Sequence, residues 1–376
     1  MVYFIKVIIK HIKNKNQKNM NMRDKSINEK VQWLLNVNKE HADLFKNARM
    51  DRQLYRVNHP TEFCALKCMD GRINISLATN TPLGIIRPYR NIGGYFDLGW
   101  PYLGEELQKW VEYGISKGRK SLILITYHYS AGDKHRGCAG FNHDLESAIA
   151  FTLKFHQQCR RFFGENNKVV FPIVVGLETD TDALIFHSQD PSSENKLVLS
   201  GSMNTDPKFL LNLIDDLYLD MDMTVKNDLL PLIQGNIAHI KEIKISNREI
   251  IDMKHREWVL AVGRGFDWLH EPNTALIVGP YSPDLSVPIT KALSIISDNM
   301  NSGRILSDGF LVLTSAPFKQ TGIDENRAIE KANFLRTYVR KIIEEKFPEL
   351  LGKVKFLAVT VDENTRRLKQ ISDEMN

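Results

Sequence analysis

The chain is poor in cysteine: Cys64, Cys68, Cys138 and Cys159 are the four in 376 residues. That is too few for a disulfide scaffold, and it fits a reducing compartment, the cytoplasm, where thiols stay free to bind metal. No apolar run reaches the roughly 18 residues that a membrane-spanning helix needs. Charge of one sign is also scarce. The formal balance is only +5, and Lys6, Lys10, Lys13, Lys15 and Lys18 contribute to it without an intervening acid. No other Lys/Arg-dense face stands out, which argues against a nucleic-acid surface. The opening apolar residues are broken by Lys6 and lack a small-residue cleavage site, so a secretory signal is not expected. Residues 1–22 are read as a disordered basic tail, with Met20 and Met22 as alternative starts.

What is present describes a globular protein with room for two domains: 43% hydrophobic and 25% charged residues. Residues 23–55 read as an N-terminal helical segment that ends at Asn58-His59-Pro60. Strand and helix signals then alternate. Strands are expected at 63–67, 83–87, 121–127 and 168–175, and helices at 104–114 and from Asn142-His143-Asp144 to about Phe163. This alternation predicts an α/β fold with a mainly parallel sheet flanked by helices. Residues 56–203 are taken as one α/β domain, 204–246 as a helical connector, and 247–376 as a second α/β domain. The second has strands at 257–262, 275–278, 310–314 and 354–361 and a helix at 325–346. Leu122-Ile-Leu-Ile-Thr126 parallels Phe310-Leu-Val-Leu-Thr314, and Lys168-Val-Val-Phe171 parallels Lys353-Val-Lys-Phe356. On that register Cys68 falls opposite Gly263 and His128 near Ala316, so a duplication is expected whose second copy lacks metal ligands.

Cys68-Met-Asp-Gly-Arg72 directly follows the first strand, and His128 and Cys138 follow a later one. Two thiolates and an imidazole make a tetrahedral Zn2+ set with one position open, the pattern of catalytic zinc. Asp70 and Arg72 stand two and four residues beyond the first thiolate, close enough to act on whatever fills the open position. Cys64 reads as a small buried strand residue and Cys159 as a helix residue without a partner ligand. His135 competes with His128, because His135-Arg-Gly-Cys138 is also a His-x-x-Cys. A ligand at the end of a buried strand is held more rigidly, which favours His128. His135 and His143 then become candidate proton shuttles, or plain loop and cap residues.

These residues resemble the β-class carbonic anhydrases, whose Cys-x-Asp-x-Arg follows the first core strand and whose His-x-x-Cys follows a later one. Here the cysteine lies ten residues beyond His128 (138 − 128), not three. That wider gap, with a helical front and a ligand-free second unit, is similar to the carboxysome shell carbonic anhydrase subclass, a fused pseudo-dimer with one zinc site. The resemblance implies zinc-dependent hydration of carbon dioxide to bicarbonate by zinc-bound hydroxide. Asp70 would accept a hydrogen bond from that hydroxide, and Arg72 would orient and ionise Asp70. Pro88 to Phe96, with Gly93 and Gly94, would line the pocket. A homodimer of pseudo-dimeric chains is expected. Two alternatives stay open: carbon disulfide or carbonyl sulfide hydrolysis on the same scaffold, and a non-catalytic zinc-binding scaffold.

Overall fold

The structure is a computed structural model that describes residues 25–190, 193–246, 255–271 and 273–372. The expected basic tail, 1–22, lies outside the described residues. Two helices open the described chain, α1 (Ile27–Asn47) and α2 (Arg49–Asn58). Ser26 starts α1 with a capping box: its side chain accepts from the Glu29 amide and Glu29 accepts from the Ser26 amide.

The first sheet has strand order β2-β1-β3-β4-β5-β6. Its strands are β1 (Glu62–Cys68), β2 (Ile86–Asn91), β3 (Ser121–Tyr129), β4 (Val170–Glu178), β5 (Ala183–His187) and β6 (Lys196–Val198). β2, β1, β3 and β4 run parallel, and β5 and β6 are antiparallel additions. Between them come α3 (Ile75–Ala78), α4 (Pro101–Ser116) and α5 (Leu145–Phe163). β1 and β4 are buried at every position, which is why they read as continuous apolar runs rather than alternating ones. The strand expected at 83–87 begins at Ile86 instead. Gly84 takes φ +86° over the Phe45 ring, so the chain is still turning there.

The stretch 204–246 forms α6 (Pro207–Leu217) and α7 (Met223–Ser246). It is not a free-standing connector. Asn236 on α7 donates to the carbonyls of Ala78 and Asp182 and accepts from the Leu184 amide, which ties the helix to the first sheet.

The second sheet has order β11-β10-β9-β7-β8. It comprises β7 (Val259–Gly263), β8 (Ala275–Val278), β9 (Phe310–Phe318), β10 (Val354–Asp362) and β11 (Leu368–Gln370), with α8 (Ser286–Asn301) and α9 (Ile323–Lys346) packed on it. Its parallel core, β8-β7-β9-β10, repeats the order β2-β1-β3-β4, as a duplication requires. The repeat slips in one place: Leu122 lies beside Phe171, whereas Phe310 lies beside Val354. A slip of two residues keeps every side chain on its own face, so the core pattern survives it. The units join beside the Cys68 motif. Asp70 bridges to Leu276, the Ile277 amide donates to the Met69 carbonyl (2.9 Å), and the Gly279 amide donates to the Arg90 carbonyl (2.9 Å).

Candidate metal centre

Cys68 is the last residue of β1, and its strand neighbour β3 carries His128 near its own end. Parallel pairing, with Leu66 beside Ile125, brings these two ends together. After β3 the chain loops out through short turns at Lys134–Arg136 and Ala139–Phe141 and returns Cys138 to the same point. The ligand atoms of Cys68, His128 and Cys138 all lie within 4.8 Å of one another, and all three residues are buried. Among the described residues no fourth His, Cys, Asp or Glu joins the group. His135, the competing histidine, is exposed on the loop and is not part of it.

The two sulfurs stand 3.8 Å apart. The hydrogen bond from the Cys138 thiol holds Cys68 well below the ordinary thiol range, and the same contact together with burial pushes Cys138 well above it. Two thiolates this close repel each other, so both sulfurs ionise together only beside a cation. Among the described residues neither ring nitrogen of His128 has a nitrogen or oxygen hydrogen-bond partner, although the residue is 3% exposed, and its ring lies against the Cys68 sulfur. An imidazole buried with both nitrogens unpaired is costly unless something coordinates it. The Gly140 and Phe141 amides donate to the Cys138 sulfur, and each such bond favours the thiolate. The donor set fits a metal ion that accepts sulfur and imidazole together.

Asp70 stays out of this group because Arg72 holds it. The Arg72 amide donates to Oδ1 (2.8 Å), Nε to Oδ2 (3.1 Å) and Nη2 to Oδ2 (2.7 Å). Burial alone would raise the Asp70 pKa. The Arg72 charge, with the direct hydrogen bonds from Arg72, outweighs it and holds the carboxyl well below its usual range. Gly71 between them is required by packing: a Cβ there would stand 2.8 Å from the Ala275 carbonyl oxygen of β8.

Two residues at this centre were not legible in the sequence. Arg72 Nη2 lies 3.2 Å from His255 Nε2, and His255 Nδ1 lies 3.1 Å from Glu257 Oε1. Arginine has only donors, so Nε2 is the accepting nitrogen and Nδ1–H donates to Glu257. Glu257 is fully buried, and Asn299 donates to its backbone carbonyl (3.0 Å). The second unit thus supports the Asp70–Arg72 pair. The available signal was an acid, Glu257, placed directly before the buried run Trp258–Val262.

Of the expected pocket segment, Gly93 and Gly94 take φ +55° and +66° and bring their backbone against the loop that carries Cys138. A Cβ on Gly140 would stand 2.7 Å from Gly93 Cα. Tyr95 stacks on Phe141 at 4.5 Å between centroids, which builds an aromatic wall. Arg90 instead turns to the second unit, with Nη2 2.6 Å from His270 Nδ1. Cys64 and Cys159 are buried and free, and burial raises both pKa values.

Residues 61–206 match the family described as Carboxysome Shell Carbonic Anhydrase, catalytic domain. A curated relative, "Carboxysome shell carbonic anhydrase" of Parasynechococcus marenigrum, is 25% identical over a 273-residue alignment covering 61% of this chain and 46% of that protein. The likeness carried by the Cys68–Arg72 motif and the long His128–Cys138 gap is therefore to the carboxysome shell type of β-class carbonic anhydrase. The chain spans less than half the length of this relative. No described helix is long and apolar enough to cross a membrane.

Proposed function

We propose that the chain is a zinc carbonic anhydrase that interconverts carbon dioxide and bicarbonate, with Cys68, His128 and Cys138 as the metal ligands. The observation that carries this reading is the buried Cys-His-Cys group with Asp70 beside it but held away from it by Arg72. A metal that serves only structure needs no such carboxylate. On this reading residues 56–203 form the catalytic unit and 247–376 its built-in, ligand-free partner.

A zinc ion held by these three donors supplies the Lewis acidity that brings the pKa of water from about 15.7 towards about 7. Two thiolates offset much of that charge, so a hydrogen-bond acceptor in the protein gains importance. Asp70, kept ionised, accepts from the attacking water and fixes its orientation. Arg72 sets the carboxylate plane through its fork of donors and prevents it from becoming a fourth ligand. His255 and Glu257 hold Arg72 in that pose. Gly93, Gly94 and the 138–141 loop close the site with backbone and aromatic surface, which suits a small apolar substrate. His135 and His143, 5.9 Å apart between ring centroids, are the proton carriers to solvent on this reading. We also propose that the chain forms homodimers and works in the cytoplasm, in keeping with its four free thiols.

The test is stopped-flow carbon dioxide hydration and metal analysis on one purified sample. One zinc per chain with hydration is expected. Both are lost in Cys68→Ala, His128→Ala and Cys138→Ala, whereas His135→Ala retains its zinc. Asp70→Ala keeps zinc and loses most turnover. A protein that carries zinc but does not hydrate carbon dioxide refutes the assignment and turns it towards heterocumulene hydrolysis or a scaffold role.

A further inference from the structure

Cys138 lies ten residues beyond His128 (138 − 128), so the loop that returns it to the site needs an anchor of its own. That anchor stands on the turn between β4 and β5. The Thr179 amide and hydroxyl donate to the Tyr129 carbonyl at 2.8 and 3.1 Å. Glu178 accepts from the Ala131 amide at 3.3 Å and braces the turn itself through the Asp180 and Thr181 amides. Asp180 takes hold further along the loop. Both of its carboxylate oxygens lie 2.9 Å from the Ser130 hydroxyl. Oδ2 accepts from the Gly132 amide at 2.7 Å, and Oδ1 stands 3.5 Å from Arg136 Nη2. A Cβ on Gly132 would meet Arg136 Nη2 at 2.8 Å and Asp180 Oδ2 at 3.1 Å, so guanidinium, backbone and carboxylate are in close contact. Asp133 also pairs with Arg136, at 3.7 Å, but it rides on the same loop and cannot tie that loop to the sheet.

Arg136 matters through its main chain. Its carbonyl accepts from Arg72 Nη2 at 2.9 Å, and the same nitrogen donates to Asp70 Oδ2 at 2.7 Å. The position of residue 136 is therefore passed to the fork of donors that grips Asp70. Asp180 is not a member of the Cys-His-Cys group, so its influence runs through the loop. An ionised carboxylate suits the task, because its hydrogen bonds are roughly twice as strong as neutral ones. It also accepts from hydroxyl, amide and guanidinium at once, whereas an asparagine offers one acceptor oxygen and turns a donor towards the others.

We propose that Asp180 is a positioning residue for the hydration reaction: it clamps residues 130–136 to the first sheet, which sets the Arg136 carbonyl and, through it, the pose of Arg72 on Asp70. The effect on turnover rests on the carbonic anhydrase reading. The chain of contacts from Asp180 to Arg72 does not.

Full-length zinc-loaded parent is compared with Asp180→Ala, Asp180→Asn, Arg72→Met and the double variant Asp180→Ala/Arg72→Met. Each is followed by metal analysis, stopped-flow carbon dioxide hydration and urea unfolding. Asp180→Ala is expected to keep one zinc per chain while kcat/KM falls about tenfold, a misplacement of about 1 Å being worth up to about a hundredfold. Asp180→Asn, with one acceptor oxygen left, recovers part of the loss. In the Arg72→Met background Asp180→Ala lowers kcat/KM by less than about twofold, because the group it positions is gone; a merely structural role costs the same in both backgrounds. The unfolding constants of the same four proteins depart from additivity by about threefold or more. Should Asp180→Ala lose its zinc, Asp180→Asn takes its place in both cycles. Unchanged kcat/KM overturns the proposal, and so does an equal loss in the two backgrounds. A parent that carries zinc without hydrating carbon dioxide refutes the reading of the site instead. The unfolding cycle then decides: non-additivity supports the link from Asp180 to Arg72, and additivity overturns it.

Discussion

The Asp70–Arg72 pair makes a quantitative claim about coupling. Both side chains are almost fully enclosed, 4% and 7% exposed, and the guanidinium grips the carboxylate through Nε and Nη2 at 3.1 and 2.7 Å. Removing one member of a buried ion pair strands the other charge, at a cost of about 3–5 kcal/mol. Arg72→Met does more, because Nη2 also donates to the Arg136 carbonyl at 2.9 Å and approaches His255. Each lost bond adds about 1 kcal/mol. Asp70→Asn leaves Arg72 charged in the same enclosure, though Oδ1 can still accept from the Arg72 amide. In the double variant neither charge is stranded. Its loss is therefore smaller than the sum of the single losses, by about 2–3 kcal/mol.

The assay is urea unfolding of zinc-saturated parent, both single variants and the double variant, followed by far-ultraviolet circular dichroism and tryptophan fluorescence. Coincident transitions for the two probes license a free-energy cycle. Additivity within about 0.5 kcal/mol refutes the coupling, and with it the claim that Arg72 acts by holding Asp70. A kinetic arm separates positioning from packing. Arg72→Met is expected to keep its zinc while hydration falls at least as far as in Asp70→Asn.

Gly71→Ala pushes a methyl group against the Ala275 carbonyl oxygen, a contact of 2.8 Å that backbone must relieve. It is expected to cost about 1–3 kcal/mol and to lower hydrogen-exchange protection at Ile277, whose amide donates to Met69; unchanged protection removes the packing argument. His156, 2% exposed and bonded through Nε2 to the Pro172 carbonyl at 3.1 Å, is depressed by burial to a pKa of about 4. The unfolded chain takes up this proton near pH 6.5 and the folded one only near 4, so stability is intact above about 6.5 and falls across that window, by about 3 kcal/mol at the low end. His156→Gln flattens this slope in urea midpoints measured from pH 4 to 7, and an identical slope in the variant refutes the assignment. Stripping zinc with a chelator lowers the melting temperature, since an ion at about a thousand times its dissociation constant stabilises by about 4 kcal/mol; a midpoint indifferent to chelation and zinc return counts against the metal centre.

The parallel core was legible because burial on both faces writes itself as apolar runs. Leu122–Ile125 and Phe310–Leu313 are wholly buried and read directly as strands. β5 and β6 were not legible. They are short antiparallel additions, and Lys196 and Val198 on β6 are exposed, so neither length nor patterning separates them from loop. The Cys68–Arg72 motif was legible because five consecutive residues carry it. The choice of His128 rested on strand rigidity, and the structure brings that residue, rather than the exposed His135, to the two cysteines. His255 and Glu257 were not legible as site residues. They lie far along the chain from Arg72, and polar residues before a strand ordinarily mark a surface; only the docking of the second sheet on the Cys68 loop encloses them.

That docking also explains why a unit without metal ligands keeps its fold and its position. The Leu276 bridge to Asp70, the Ile277 bond to Met69 and the Ala275 carbonyl over Gly71 fix the backbone on which Asp70 and Arg72 stand. Glu257 and His255 then fix the guanidinium from behind. A displacement of β8 by a fraction of an ångström would pass directly into the pose of the Asp70 carboxylate, because no flexible side chain intervenes. Gly263 and Ala316 stand where the first unit has Cys68 and His128, so the second sheet offers no matching donors there. What it supplies to the first unit is the backbone under Asp70 and Arg72.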